Sequence, residues 1–314
     1  MPKFPPIPRL SIVIPIGRDI AAFESTLISV LENPVHGSEI LVCHDGSYQD
    51  PFELGDEIKF VIADSENPLE VISAGASQAR GRFVHVLSDG LRATPGWIDE
   101  ALEAFEAYDC GVVSPVIRHE TNGTIVSAGW KDSVAGLCKS ADKGQQQIIE
   151  TAKSNQTGAY LQGSFWRREL LRSLTDALTT NDLLEASYVF HQLADQAGWK
   201  CSLASDSELL YAHDTLPWNE PSVGRGMRTQ CVKNHFSLGG WSRSLSAALC
   251  STIASVTRPR QIVEAIGRGL APILTASLAE RVRPSHVAAC DLHETIVGMP
   301  SRTQVLDQPL RRAA

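Results

Sequence analysis

The sequence predicts an α/β fold, a mostly parallel sheet flanked by helices, with a helical C-terminal tail. Three observations carry that expectation. Short β-branched runs alternate with helix-period stretches through the first two thirds of the chain. The apolar runs stop abruptly on proline, glycine or aspartate, as buried strands do at a sheet end. Beyond residue 236 only helix-period segments follow.

Taken in order, "LSIVIPI" (10 to 16) is a strand ended by proline and glycine, and "IAAFESTLISVLEN" (20 to 33) sets Ile20, Phe23, Leu27, Val30 and Leu31 on one helical face. "EILVC" (39 to 43) and "KFVIA" (59 to 63) are strands, and "PLEVISAGASQARG" is a helix closed by Gly81. "RFVHVLSDG" is a strand, "GWIDEALEAFEAY" a helix and "CGVVSPVI" another strand. Strand and helix in alternation imply right-handed βαβ crossovers, so ligands belong beyond the carboxyl ends of the strands. The tail offers "SLSAALCSTIASV" and "QIVEAIGRGLAPILTASLAERV", weakly charged helices whose roles are core packing, dimerisation or contact with a membrane surface. The last residues, "SRTQVLDQPLRRAA", read as a poorly ordered end.

Composition bounds the function. With 314 residues, 43% of them hydrophobic, the chain can bury a substantial core. A net charge of -8 leaves no basic excess for a phosphate backbone, so nucleic acid is not an expected partner. Seven cysteines without a CxxC pair predict reduced thiols rather than a disulfide framework or a zinc knuckle. No apolar run reaches the roughly 18 residues of a bilayer span, and the start lacks a leader's cleavage pattern. The expected location is the cytoplasm, with peripheral contact at the inner membrane face left open. The sequons at Asn122 and Asn155 read as chance.

Asp45 follows a buried strand in "EILVCHDGSYQD" and precedes Gly46. It either binds a ligand in the crevice or simply makes a turn, with Gly46 at positive φ. Further stretches weigh on that choice. "LSIVIPIGRDIAAFESTLISVLEN", "EILVCHDGSYQD" and "SAGASQARGRFVHVLSDGLRATPGWIDEAL" resemble, in order and spacing, family 2 glycosyltransferases of the GT-A fold. "CGVVSPVIRHETNGTIVSAGW", with its Asn-Gly hairpin, "GSFWRRELL" and "QLADQAGWKCSLASDSELLYAHD" are similar to segments of rhamnosyltransferase-like members, the last holding a late helix, an edge strand and a histidine.

The resemblance covers about residues 10 to 235. It implies a nucleotide-sugar-binding GT-A domain over 1–235 and a helical extension over 236–314. It further implies that Pro15, Ile16, Gly17, Arg18, Asp45, Ser88, Asp89 and Gly90 contact the nucleotide sugar, and that Gly163 borders the acceptor. Members hold a divalent cation, Mg²⁺ or Mn²⁺, on an Asp-x-Asp pair. Here that motif falls on Ser88, Asp89 and Gly90, so Asp89 and His213 are the remaining candidate metal contacts. The carboxylate pair that supplies the base falls on Ala186 and Ser187, leaving Glu185 and Asp182 as candidate catalytic acids, each with a helix-capping reading beside it.

Other residues have plainer readings. His44 packs, or contacts a base; His85 is a satisfied core residue; Arg225, Arg228 and Lys233 form a solvated basic loop or meet a diphosphate. Neither a P-loop nor a dinucleotide fingerprint is present, since the Gly-Arg-Gly stretches at 224 and 267 do not follow a first strand. The expected function is transfer of a sugar from a nucleotide diphosphate sugar to a glycan, lipid-linked or other hydroxyl acceptor. The alternative is a catalytically impaired homologue that binds a nucleotide sugar or glycan as a scaffold.

Overall fold

A computed structural model describes residues 7–51, 53–55, 57–134, 136–149, 158–237, 241–254 and 259–290. Asn155, the stretch 301–314 and the rest of the extension lie outside them. The first half alternates strand and helix as expected: β1 (Leu10–Pro15), α1 (Ile20–Glu32), β2 (Ser38–His44), β3 (Lys59–Ile62), α2 (Pro68–Gln78) and β4 (Phe83–Val86). β1 is buried along its whole length, which suits a run of β-branched residues covered on both faces. Phe23, Leu27 and Val30 turn α1 onto it, and Asp19 caps that helix by accepting the Ala22 N–H at 3.1 Å.

Then come β5 (Arg92–Ala93), α3 (Asp99–Ala104), β6 (Cys110–His119), β7 (Ile125–Ser127), β8 (Trp130–Lys131) and β9 (Lys139–Ser140). β10 (Phe165–Arg167) leads into α4 (Arg168–Ala177) and α5 (Leu183–Gln196), and β11 (Lys200–Tyr211) closes the sheet. The order is β3-β2-β1-β4-β10-β6-β11-β5, with β7 on β6. β3, β2, β1 and β4 run parallel, as do β6 and β11. β10 lies antiparallel between β4 and β6 and joins the two halves. The α/β class expected from the sequence is therefore present, with a mostly parallel central sheet.

Several local expectations change. α2 ends at Gln78 with Ala79 as its cap, so Gly81 is not the helix stop. Its lack of a side chain serves a backbone crossing, because a Cβ there would lie 2.6 Å from the Ser11 nitrogen. β11 is not quite an edge strand, since β5 pairs outside it at Leu209 and Leu210. The stretch expected as a basic loop is the helix α6 (Val223–Phe236).

After α6 come α7 (Trp241–Ala254), α8 (Pro259–Leu270) and α9 (Pro272–Arg281). α6 packs on α5, α7, α8 and α9, so helical packing crosses the boundary expected at residue 235. Ala271, Leu278 and Val282 belong to the same apolar core as the sheet. The chain then returns along α4 and α5, where Arg283 N–H donates to the Ala177 carbonyl at 2.7 Å and Trp199 Nε1 donates to Ala288 at 2.8 Å.

Candidate active site

β1, β2 and β4 all point their carboxyl ends the same way, which brings the segments beyond them to one side of the sheet. Pro15, Ile16, Gly17 and Arg18 after β1, Asp45 after β2, and Ser88 and Asp89 after β4 line one cavity of about 810 Å³. The beginnings of α2 and α5 complete it through Asn67 and Leu183. A second cavity, of about 510 Å³, shares Ser88, Asp89 and Leu183 with the first and continues past Gly90 to Tyr211, His213 and Trp218. Asp89 stands where the two meet.

Asp45 combines both of its expected readings. Its Oδ1 accepts the Ser47 N–H at 2.9 Å and the Ser47 hydroxyl at 2.5 Å, and Gly46 adopts φ +95°, so it makes a turn. The same carboxylate is exposed and lines the first cavity. The two Ser47 bonds hold its pKa below the usual carboxylate value.

Asp89 is half-buried, and burial pushes its pKa up, with the charge of Asp19 adding to that. Gly17 gives its carboxylate room: a Cβ on Gly17 would lie 2.5 Å from Asp89 Oδ2. Arg18 is the only cation among the described residues lining the first cavity, against the carboxylates of Asp45, Glu66 and Asp89.

The residues present do not fit a divalent cation held by the protein alone. Ser88 and Gly90 bring a hydroxyl and a backbone carbonyl where carboxylates would be needed. Among the described residues no group of three histidine, cysteine or acidic side chains comes within metal-binding reach. His213 shares the second cavity with Asp89 but lies outside the first.

The two expected catalytic acids are engaged elsewhere. Asp182 caps α5, accepting the Glu185 N–H at 2.8 Å, and pairs with Arg228 at 2.8 Å. Glu185 is buried against Arg281, 2.6 Å away, a partner 96 residues along the chain. Neither lines either cavity. Gly163 does not border the second cavity either; it is packed against Leu91, and the neighbouring Gln162 takes that place.

The basic residues of α6 are likewise paired with acids of this chain. Arg225 is buried and bonds Glu264 at 2.7 Å, and Lys233 meets Asp132 at 3.0 Å. None of Arg225, Arg228 and Lys233 lines either cavity. His44 follows its packing reading, edge-on to Tyr48 and Phe60, with its Nδ1 accepting the Gly46 N–H. His85 is the buried core residue expected, stacked on Phe165 at 3.8 Å with the Gly163 backbone as its polar neighbour. Burial pushes its pKa down to about 3, so the ring is neutral.

The sequence reading missed Gln162, Tyr211 and Trp218. Tyr211 and Trp218 bring aromatic surface to the second cavity, and the Trp218 Nε1 is buried without a hydrogen bond among the described residues. The clue available was the aromatic spacing of "LLYAHDTLPWN", just beyond the last strand.

No family model matches the chain, and no curated protein matches it. Among solved structures it is similar to S. aureus TarS 1–349, with 12% identity over 80% of this chain and 73% of that one, at a TM-score of 0.48. It is also similar to the mannosyltransferase PcManGT from Pyrobaculum calidifontis, in complex with GDP-Man and Mn²⁺. There the identity is 14% over 87% of this chain and 74% of that one, at a TM-score of 0.43. At such identities no site residue is carried over from either.

Proposed function

We propose that the chain is a glycosyltransferase that takes a nucleotide diphosphate sugar in the first cavity and a hydroxyl acceptor, on a glycan or a lipid-linked sugar, in the second. The observation that carries this reading is the meeting of the two cavities at Asp89, with Asp45 in the same cavity from a separate strand end. A donor lying across β1 and β2 would present its anomeric carbon near that junction. The aromatic surface of Tyr211 and Trp218 suits a sugar ring on the other side. The sequence resemblance to family 2 enzymes supports the same reading.

With no cation site built by the protein, Asp89 is the group we assign to receive the acceptor's proton. As the acceptor oxygen bonds to the anomeric carbon, its proton passes to the Asp89 carboxylate, and the diphosphate leaves with the electron pair of the broken C–O bond. Arg18 offers that diphosphate a positive charge.

The test is calorimetric titration with uridine, thymidine and guanosine diphosphates, together with a turnover assay on their sugar conjugates. Binding of at least one nucleotide is expected, as is its weakening in Asp45→Ala. Absence of binding across the set would end this reading. A second reading, a nucleotide-sugar or glycan binder without turnover, is favoured by the engagement of Glu185 with Arg281 and of Asp182 with Arg228. It predicts binding with no turnover on any acceptor, and no loss of affinity beyond twofold or so in Asp89→Asn.

A further inference from the structure

The helices after α6 are built inside out. α7 buries Ser244 and Ser251 and turns Leu245, Leu249 and Ile253, spaced four residues apart, to the outside. α8 buries Glu264 and Arg268 and exposes Val263, Ile266 and Leu270, and Ile273 at the start of α9 is exposed as well. These seven side chains range from 38% exposed at Leu270 to 65% at Ile253. A helix on a water-facing surface does the reverse, putting its aliphatic stripe inward and its charges outward.

The interior they leave behind is polar and satisfied. Arg268 Nε donates to Gln230 Oε1 at 3.0 Å, Gln230 Nε2 to Asn234 Oδ1 at 2.9 Å, and Asn234 Nδ2 to Ser244 Oγ at 2.6 Å. Beside this chain of bonds lies the buried Arg225–Glu264 pair. The helices touch through glycine: a Cβ on Gly226 would collide with the Glu264 carbonyl, and one on Gly267 with that of Val223. Hydrogen-bonded polar groups inside, small residues at the crossings and aliphatic side chains outside are how helices pack beside hydrocarbon.

Charge points the same way. Residues 241–281 hold five arginines, at 243, 258, 260, 268 and 281, and two acids, Glu264 and Glu280, in a chain whose net charge is -8. Glu264 is buried on Arg225. Among the described residues no single helix is long and apolar enough to cross a membrane, while Gln261–Leu270 and Pro272–Arg281, bent by 46°, are so only as a pair.

We propose that the outer face of α7, α8 and the start of α9 seats on the surface of an anionic lipid bilayer. Leu249, Ile253 and Ile266 would enter the boundary between headgroups and acyl chains, and the basic balance of the sequence from 241 to 260, with Arg243, Arg258 and Arg260 and no acid, suits an anionic surface. A second copy of the chain could cover the same strips but would bring two arginine-rich segments together. The lipid surface is therefore the better complement. The inference is independent of the transferase reading.

Flotation of the full chain with vesicles of phosphatidylcholine alone, and of phosphatidylcholine with one third phosphatidylglycerol, tests it. Partition onto the anionic vesicles is expected, weaker onto the neutral ones and weaker in high salt. Leu249→Glu/Ile266→Glu should lower the bound fraction about tenfold or more with unchanged circular dichroism, since both positions are exposed. Leu245→Ser/Ile273→Ser serves as an independent pair if the first fails to fold. No partition of the unaltered chain, or equal partition of a folded variant, overturns the proposal. A dimer in light scattering that Leu249→Glu dissociates, without vesicle binding, overturns it in favour of a second copy.

Discussion

The Asp89 carboxylate rests against Gly17, so closely that a Cβ at residue 17 would lie 2.5 Å from Oδ2. The turn after β1 and the turn after β4 are thus fitted to one another. Gly17→Ala must displace the Asp89 carboxylate, the end of a side chain that can swing aside with little loss of stability. Nucleotide affinity in this variant is expected to fall about tenfold, a change that calorimetry resolves.

Asp45→Ala removes a carboxylate that is already held in place by Ser47. A ligand hydrogen bond to such a charged group carries roughly tenfold or more in affinity. Nucleoside diphosphate affinity should drop accordingly, with little change in melting temperature because the side chain is exposed. A drop in stability with unchanged affinity would mean that the residue only makes the turn.

Chelation should leave nucleotide affinity within about threefold, because the strand end supplies one carboxylate where a hard cation wants several oxygen ligands. Titration with Mn²⁺ and then with a chelator checks this. A loss of a hundredfold or more, about 2.7 kcal/mol, would show that ligands absent from this donor set complete a metal site.

Glu264→Gln leaves both the buried Arg225 and Lys139 without their counter-charge, and loss of the acid from such a buried cluster costs about 3 to 5 kcal/mol. An unfolding free energy in urea lower by that amount is expected, with nucleotide affinity unchanged at temperatures where the variant is folded.

His85 must stay neutral inside the sheet, its pKa lowered from 6.5 to about 3. Between those two values the unfolded chain binds a proton that the folded chain does not. Stability is therefore complete above pH 6.5 and is lost as the pH falls toward about 3, by up to about 1.4 kcal/mol per pH unit for this one group. Thermal melts from pH 7 to pH 4 should show the decline, and His85→Leu should flatten it.

Legibility in the sequence followed the range of the interactions. Asp45 and Asp89 could be read because a strand that ends on an acid is a local pattern, and a parallel sheet sends such ends to one side. Glu185 could not, because its partner Arg281 is far along the chain and only the folded helices bring them together. Arg225, Arg228 and Lys233 read as a loop because two glycines interrupt them; α6 forms there since Gly226 lets α8 approach. β10 was hidden by its brevity, three residues whose strand character comes from neighbours on both sides. The polar interior of α6 to α8 defeats a reading that assumes apolar residues face inward.

The antiparallel strand β10 also sets an order of assembly. It fills the slot between β4 and β6, yet it is made about 50 residues after β6 begins, which is a long loop to close. Until Phe165 to Arg167 arrive, β4 and β6 each present an unpaired edge, and the two halves of the sheet have no seam between them. β11, the parallel partner of β6, comes later still, so the half-sheet beyond the slot is completed only after β10 is made. A chain halted before residue 165 would expose both edges to other chains, so truncations ending there are expected to aggregate.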